Sequence, residues 1–155
     1  MKYKHNTSFI CCIVLLCTVL LFTSCSSNTT IELPFSSKDV INVELYHYNI
    51  LSQAQQKIIT SEQEIESIIE TLTTIPVKKN NSSSQAEGHV TSFRFNLTDG
   101  SDFEVIYTCY GVKKGIIQSS YVFDYKTASD IGGMWDNFDT PAVDVSEEVL
   151  PFYDK

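Results

Sequence analysis

An α+β domain is what this chain predicts: an antiparallel β-sheet meander with one amphipathic helix packed on one face. Three observations carry the prediction. Residues 91–97 and 103–109 alternate apolar and polar around a glycine turn. Residues 61–74 carry a capped helical start and an apolar stripe. Residues 41–48 alternate as a half-buried strand does.

In chain order, the first strand is I41-N42-V43-E44-L45-Y46-H47-Y48, with Ile41, Val43 and Leu45 in one phase. Lys57 to Thr60 is expected as a short partner after a turn around Leu51 to Gln56. The helix begins at Ser61, with Glu64 three residues on. A serine hydroxyl and a carboxylate at that spacing can satisfy exposed amides of the first turn. Ile65, Ile68, Ile69 and Leu72 then form one apolar stripe, and Pro76 prevents continuation. The glutamates between them read as a solvated face.

Residues 78–89, KKNNSSSQAEGH, read as a polar loop. In the meander, Thr98-Asp99-Gly100 suits a three-residue hairpin with Gly100 in the left-handed region. That register sets Phe95 against Phe103 and Phe93 against Val105, so the apolar faces coincide. A two-residue turn would set Phe95 against Glu104. Gly111 to Gly115 makes a second turn, and residues 116–125 return as one strand. Residues 127–138 are expected as a helix weakened by Gly132 and Gly133. The tail from Val143 carries no pattern that assigns it.

The amino-terminal segment has a different logic. Residues 1–8 carry Lys2 and Lys4, and Phe9 to Phe22 form an apolar run. A positive start, a short apolar run and a small-residue exit make a secretory signal. The run is shorter than the ~20 residues needed to cross a bilayer. It ends in Leu21-Phe22-Thr23-Ser24-Cys25. This resembles the bacterial lipobox, with Phe22 where Leu, Val or Ile is usual. The resemblance covers residues 1–25. It implies cleavage before Cys25, a diacylglyceryl group on its thiol, and a place on the extracytoplasmic face of the cell membrane. It also implies a division into a signal peptide (1–24), a lipidated Cys25 with a flexible tether (25–39) and one domain (40–155). The pattern of exported start, helix and meander is similar to small cell-envelope lipoproteins of Gram-positive bacteria, a likeness that implies no activity.

Composition narrows the partners. The 155-residue chain has 11 basic and 19 acidic residues and a net charge of −8. Loss of Lys2 and Lys4 leaves about nine basic residues and a balance near −10. Such a domain repels phosphate backbones, so nucleic acid is not an expected partner. By net charge alone it also repels an anionic lipid surface, which leaves lipid on Cys25 to hold it there. Of five cysteines, Cys109 alone lies beyond Cys25, so the mature chain has no intramolecular disulfide and no C-x-x-C pair.

No residue pattern announces catalysis. H-E-x-x-H, G-x-S-x-G and glycine-rich phosphate loops are absent, and no metal or cofactor is expected. Cys109 shares a phase with Phe103, Val105 and Tyr107 and is expected as a buried core cysteine. His47 is expected to make a hydrogen bond at a strand end. Asp99, Asp102 and Glu104 read as a hydrated turn. Tyr46, Tyr48 and Tyr110 point away from the inward phase of their strands and form the candidate binding surface. The competing expectation is a C-terminal cover, with Trp135 and Phe138, over the same face. The leading functional expectation is a binding module for an envelope protein or wall glycan. Two others stay open: an inhibitor or immunity-type lipoprotein against an exported enzyme, and an envelope hydrolase using His47 and His89.

Overall fold

A computed structural model describes residues 29–81, 88–112, 114–119 and 122–151. The alternating segments form β1 (Val40–Tyr48), β2 (Gln55–Ile59), β4 (His89–Leu97) and β5 (Asp102–Gly111). Three further strands are β3 (Val77–Lys79), β6 (Lys114–Ser119) and β7 (Phe123–Thr127), and a two-residue β8 (Val143–Asp144) completes the set. Among the described residues they make one antiparallel sheet in the order β3-β7-β6-β5-β4-β1-β2-β8. The one α-helix among the described residues, α1 (Glu62–Thr74), buries Ile65, Ile68 and Leu72. These share a core with Val43, Leu45, Phe93, Phe95, Val105 and Ile117 from one sheet face, called the front. Fully burying each such side chain contributes about 1.5–3 kcal/mol.

Local chemistry sets the joints. Ser61 Oγ accepts from the Glu64 amide at 3.4 Å, at the head of a helix whose first turn is acidic. Ser61→Ala is expected to cost about 1 kcal/mol by urea denaturation, with an unchanged transition slope. Gly100 has φ +86, and the hairpin pairs Phe95 with Phe103 and Phe93 with Val105 as its turn residues dictate.

Four expectations change. Lys78 and Lys79, read as the start of a loop, belong to β3, which pairs with β7 as an edge strand; residues 82–87 of that loop lie outside the described residues. The expected single strand 116–125 is two strands, β6 and β7, paired with each other. Residues 127–138 do not form an α-helix; Gly132–Asn137 is a 3-10 turn that buries Met134, followed by buried Phe138. Paired glycines favour that shorter element, because each adds backbone entropy that an α-helix must overcome.

The fourth correction concerns the tether. Residues 29–39 are not a free linker. Thr29 and Val77 exchange main-chain hydrogen bonds of 3.1 and 2.9 Å. Ile31 is 2% exposed within the front core, and Phe35 packs on Phe95 and Phe103 with ring centroids 5.1 and 5.4 Å away. Ile31, Leu33 and Phe35 alternate, but over only five residues and across Pro34, so the groove supplied by distant strands is what reveals their use.

The C-terminal segment wraps the opposite edge. Its 3-10 turn lies on the front, tied to β2 by Lys57. The Lys57 ammonium donates to the carbonyls of Trp135 and Phe138, both at 2.8 Å, and sits 4.6 Å over the Trp135 ring. The chain then pairs β8 with β2 and carries Leu150 onto the back face, against Tyr46 and Ala54.

Candidate functional site

The three tyrosines of the expected surface do not form one patch. Tyr46 faces away from the front core, as its phase requires, but it is 0% exposed. Leu150 and Val145 cover it from the C-terminal segment, held by a Val145 amide to Ala54 carbonyl bond of 3.0 Å. Trp135 and Phe138, named from sequence as the cover, lie in the front core instead. Tyr48 is half-buried at the margin of the same cluster. Tyr110 is 41% exposed, two strands from β1, about 10 Å across the sheet.

Under that cover sits a polar network. Arg94 donates to Glu104 through Nε and Nη2 at 3.0 and 2.9 Å, and through Nη1 to Glu44 and the Tyr46 hydroxyl, both at 3.1 Å. Its Nη2 also reaches the Val149 carbonyl at 3.0 Å. The Tyr46 hydroxyl donates to Glu44, and Asn96 donates to Glu44 at 3.1 Å. Burial and the Glu44 carboxylate both push the Tyr46 phenol well above its usual pKa. Each group here is occupied by another, so the network binds the segment to the sheet and offers no open site.

The open site lies at one end of β4 and β5. A cleft of about 670 Å³ is lined by His89, Tyr107, Cys109, Tyr110, Val112 and Asp130, together with Gly88 and Gly111. The register produces it. Thr91 stands between His47 on β1 and Tyr107 on β5, and His89, one step further on the same face, stands opposite Cys109. Gly115 faces the Tyr107 ring, where an added Cβ would fall 2.1 Å from Cε2, so glycine makes room for that ring. The Tyr107 hydroxyl donates to the Ser129 carbonyl at 3.2 Å and fixes the loop that carries Asp130. Burial, then the neighbouring Cys109, push the Tyr107 phenol up.

Cys109 corrects another expectation. It packs on the front core on one side but is partly exposed and lines the cleft on the other. Its thiol donates to the Gly111 carbonyl at 3.6 Å. His47 is the strand-end residue expected: its Nδ1 lies 3.0 Å from Thr91 Oγ1, and its ring stacks on Trp135 with centroids 5.4 Å apart. Burial, then the charge of His89, lower its pKa, with Asp136 opposing. A folded state that binds its proton less readily than the unfolded state loses stability as pH falls through the unfolded value of 6.5. Melting curves from neutral to mildly acid pH are expected to show that loss in wild type and less of it in His47→Gln.

The carboxylates noted at the hairpin do not converge. Asp99 accepts from Ser101 N and Oγ at 2.9 and 2.6 Å, whereas Glu104 faces Arg94 on the back. No trio of His, Cys, Asp or Glu that could hold a metal ion occurs among the described residues. Val112, 92% exposed, and Asp130 escaped sequence reasoning because one lies in a turn and the other in a segment expected as a helix, and neither pattern marks a cleft. Cys25 and the apolar run before it lie outside the described residues, and no described helix is long and apolar enough to cross a membrane. No protein-family model, curated protein or solved structure matches the chain.

Proposed function

We propose that this chain is a lipid-anchored module of the extracytoplasmic membrane face that binds an envelope partner, protein or wall glycan, through the cleft at the end of β4 and β5. The observation that carries the binding role is that cleft, open and mainly apolar, with exposed Tyr110 and Val112 at its rim and His89 and Asp130 as polar groups. The anchor rests on Leu21 to Cys25 and the charged, apolar start before them. Tyr110 stays in the proposed surface; buried Tyr46 and marginal Tyr48 support the scaffold.

Two measurements test the reading. Cys25→Ser is expected to abolish lipid labelling and membrane retention; retention of a labelled product would remove the anchor. A photo-crosslinking residue at Val112 is expected to capture one partner in intact cells, whereas one at exposed Ile58 on β2 captures none. Tyr110→Ala should weaken that capture roughly tenfold, the equivalent of about 1.4 kcal/mol. Equal capture from both positions would remove the cleft as the site.

A second reading, an envelope hydrolase, draws on a specific juxtaposition. His47 and His89 share one face and one end of the sheet, and Cys109 stands opposite His89 in register. A thiol activated by an imidazole reacts as the thiolate. Alkylation of Cys109 at neutral pH no faster than that of a free thiol, unaffected by His89→Gln, would set this reading aside.

A further inference from the structure

The acidic balance of the chain hides an uneven distribution over the back face. Around β1 and β4 that face carries Glu44 and Glu104, with Arg94 between them, beneath a C-terminal segment that adds Asp144, Glu147 and Glu148. The β3-β7-β6 side is basic. Lys78 on β3 stands directly opposite Lys126 on β7, and Lys126 opposite Ile116 on β6. By strand alternation Lys114 faces the same way as Ile116. Lys79, opposite Tyr125, alternates to the front face and lies outside this group. Asp124 is the acidic residue of these three strands, and it accepts a 2.9 Å hydrogen bond from Asn80.

Like charges placed directly opposite on neighbouring strands destabilise a sheet unless an anion offsets them. The chain's path shows which anion is near. Thr29 pairs with Val77, the residue before Lys78. Residues 26–28 are then all that separates Cys25 from the packed domain, and the step from Cys25 to Thr29 spans at most about 14 Å. A lipid on Cys25 therefore brings the β3 edge to the headgroups.

We propose that Lys78, Lys126 and Lys114 form a seat for anionic lipid headgroups, which fixes the domain edge-down on the membrane. The proposal rests on the lipid-anchor reading. It reverses the repulsion inferred from net charge, because an exposed charge acts within a Debye length of about 10 Å at 0.1 M salt, not as a sum over the whole molecule.

The test uses mature protein isolated from membranes and reconstituted with vesicles of phosphatidylcholine alone or with phosphatidylglycerol. Lysine acylation is read by mass spectrometry. With phosphatidylglycerol at about 0.1 M salt, Lys78, Lys114 and Lys126 should react roughly fivefold more slowly than on phosphatidylcholine, and recover at about 1 M salt, where the Debye length is about 3 Å. Lys38, outside these strands, should not change. Lys78→Gln with Lys126→Gln should abolish the difference at Lys114, while relief of the opposed like charges leaves the melting temperature at or above that of wild type. Flotation separates the two ideas. Protein that floats on phosphatidylcholine, with lysines equally reactive in both vesicles, is anchored and has no lysine seat. Protein that floats only with phosphatidylglycerol has the seat without the anchor, and protein that floats on neither has neither.

Discussion

Arg94→Ala is expected to lower the unfolding free energy by about 3 kcal/mol, near the lower end for breaking a buried ion pair because the arginine is partly solvated. The side chain of Glu104 is 5% exposed and that of Glu44 21%, and both lose the guanidinium that faces them. The Val149 carbonyl loses its donor as well, so the C-terminal cover over Tyr46 should loosen. Arg94→Lys should recover only part of the loss, since an ammonium cannot reproduce the fork toward Glu104. The pH dependence gives an independent check. Burial works to raise the Glu44 pKa, but hydrogen bonds from Tyr46 and Asn96, with Arg94, outweigh it and hold the carboxyl below the ordinary glutamate value of 4.5. A depressed carboxylate contributes stability above the unfolded pKa and loses it as pH falls through the folded one. Wild type should therefore lose stability in acid below 4.5, and Arg94→Ala should lose less. Chemical denaturation across this range measures both; a cost under about 1 kcal/mol would mean that the pairs are effectively solvated.

Lys57→Ala is expected to cost about 3 kcal/mol, from two charge-assisted hydrogen bonds and the packing of the lysine stem. The carbonyls of Trp135 and Phe138 would lose the ammonium that holds the 3-10 turn on the front face. Lys57→Met retains most of the stem and isolates the polar part, at about 2 kcal/mol. The chain has one tryptophan, and it lies against Lys57 and His47, so near-ultraviolet dichroism reports the turn directly. Loss of that signal before the far-ultraviolet signal would show the turn detaching ahead of the sheet. Coincident loss would make it part of one cooperative unit.

Lys57 also shows where reading from sequence stops. In a short strand of sequence QQKII it occupies an inward position, which alternation alone would not assign to an ammonium. Two carbonyls from residues about 80 positions away make the burial favourable. The same reason hid the cleft. His89, Tyr107 and Cys109 were each visible as a residue on a strand. Their convergence with Asp130 depends on pairing between β4 and β5 and on a loop pinned by Tyr107. Tyr46 failed as a surface residue for the converse reason: its outward phase was correct, but a segment with no period of its own covers it.

Where the physics is local, the chain alone suffices. Alternation set the faces of β1, β4 and β5, a serine cap and an apolar stripe set α1, and one glycine at positive φ set the hairpin register. Such features depend on neighbours within a few residues, so their energetics are written along the chain. Tertiary structure decided the rest: Ile31 and Phe35 in the core, Leu150 over Tyr46, and lysines from three strands gathered on one side of an acidic protein. Each of those outcomes depends on surfaces that exist only after distant strands have paired.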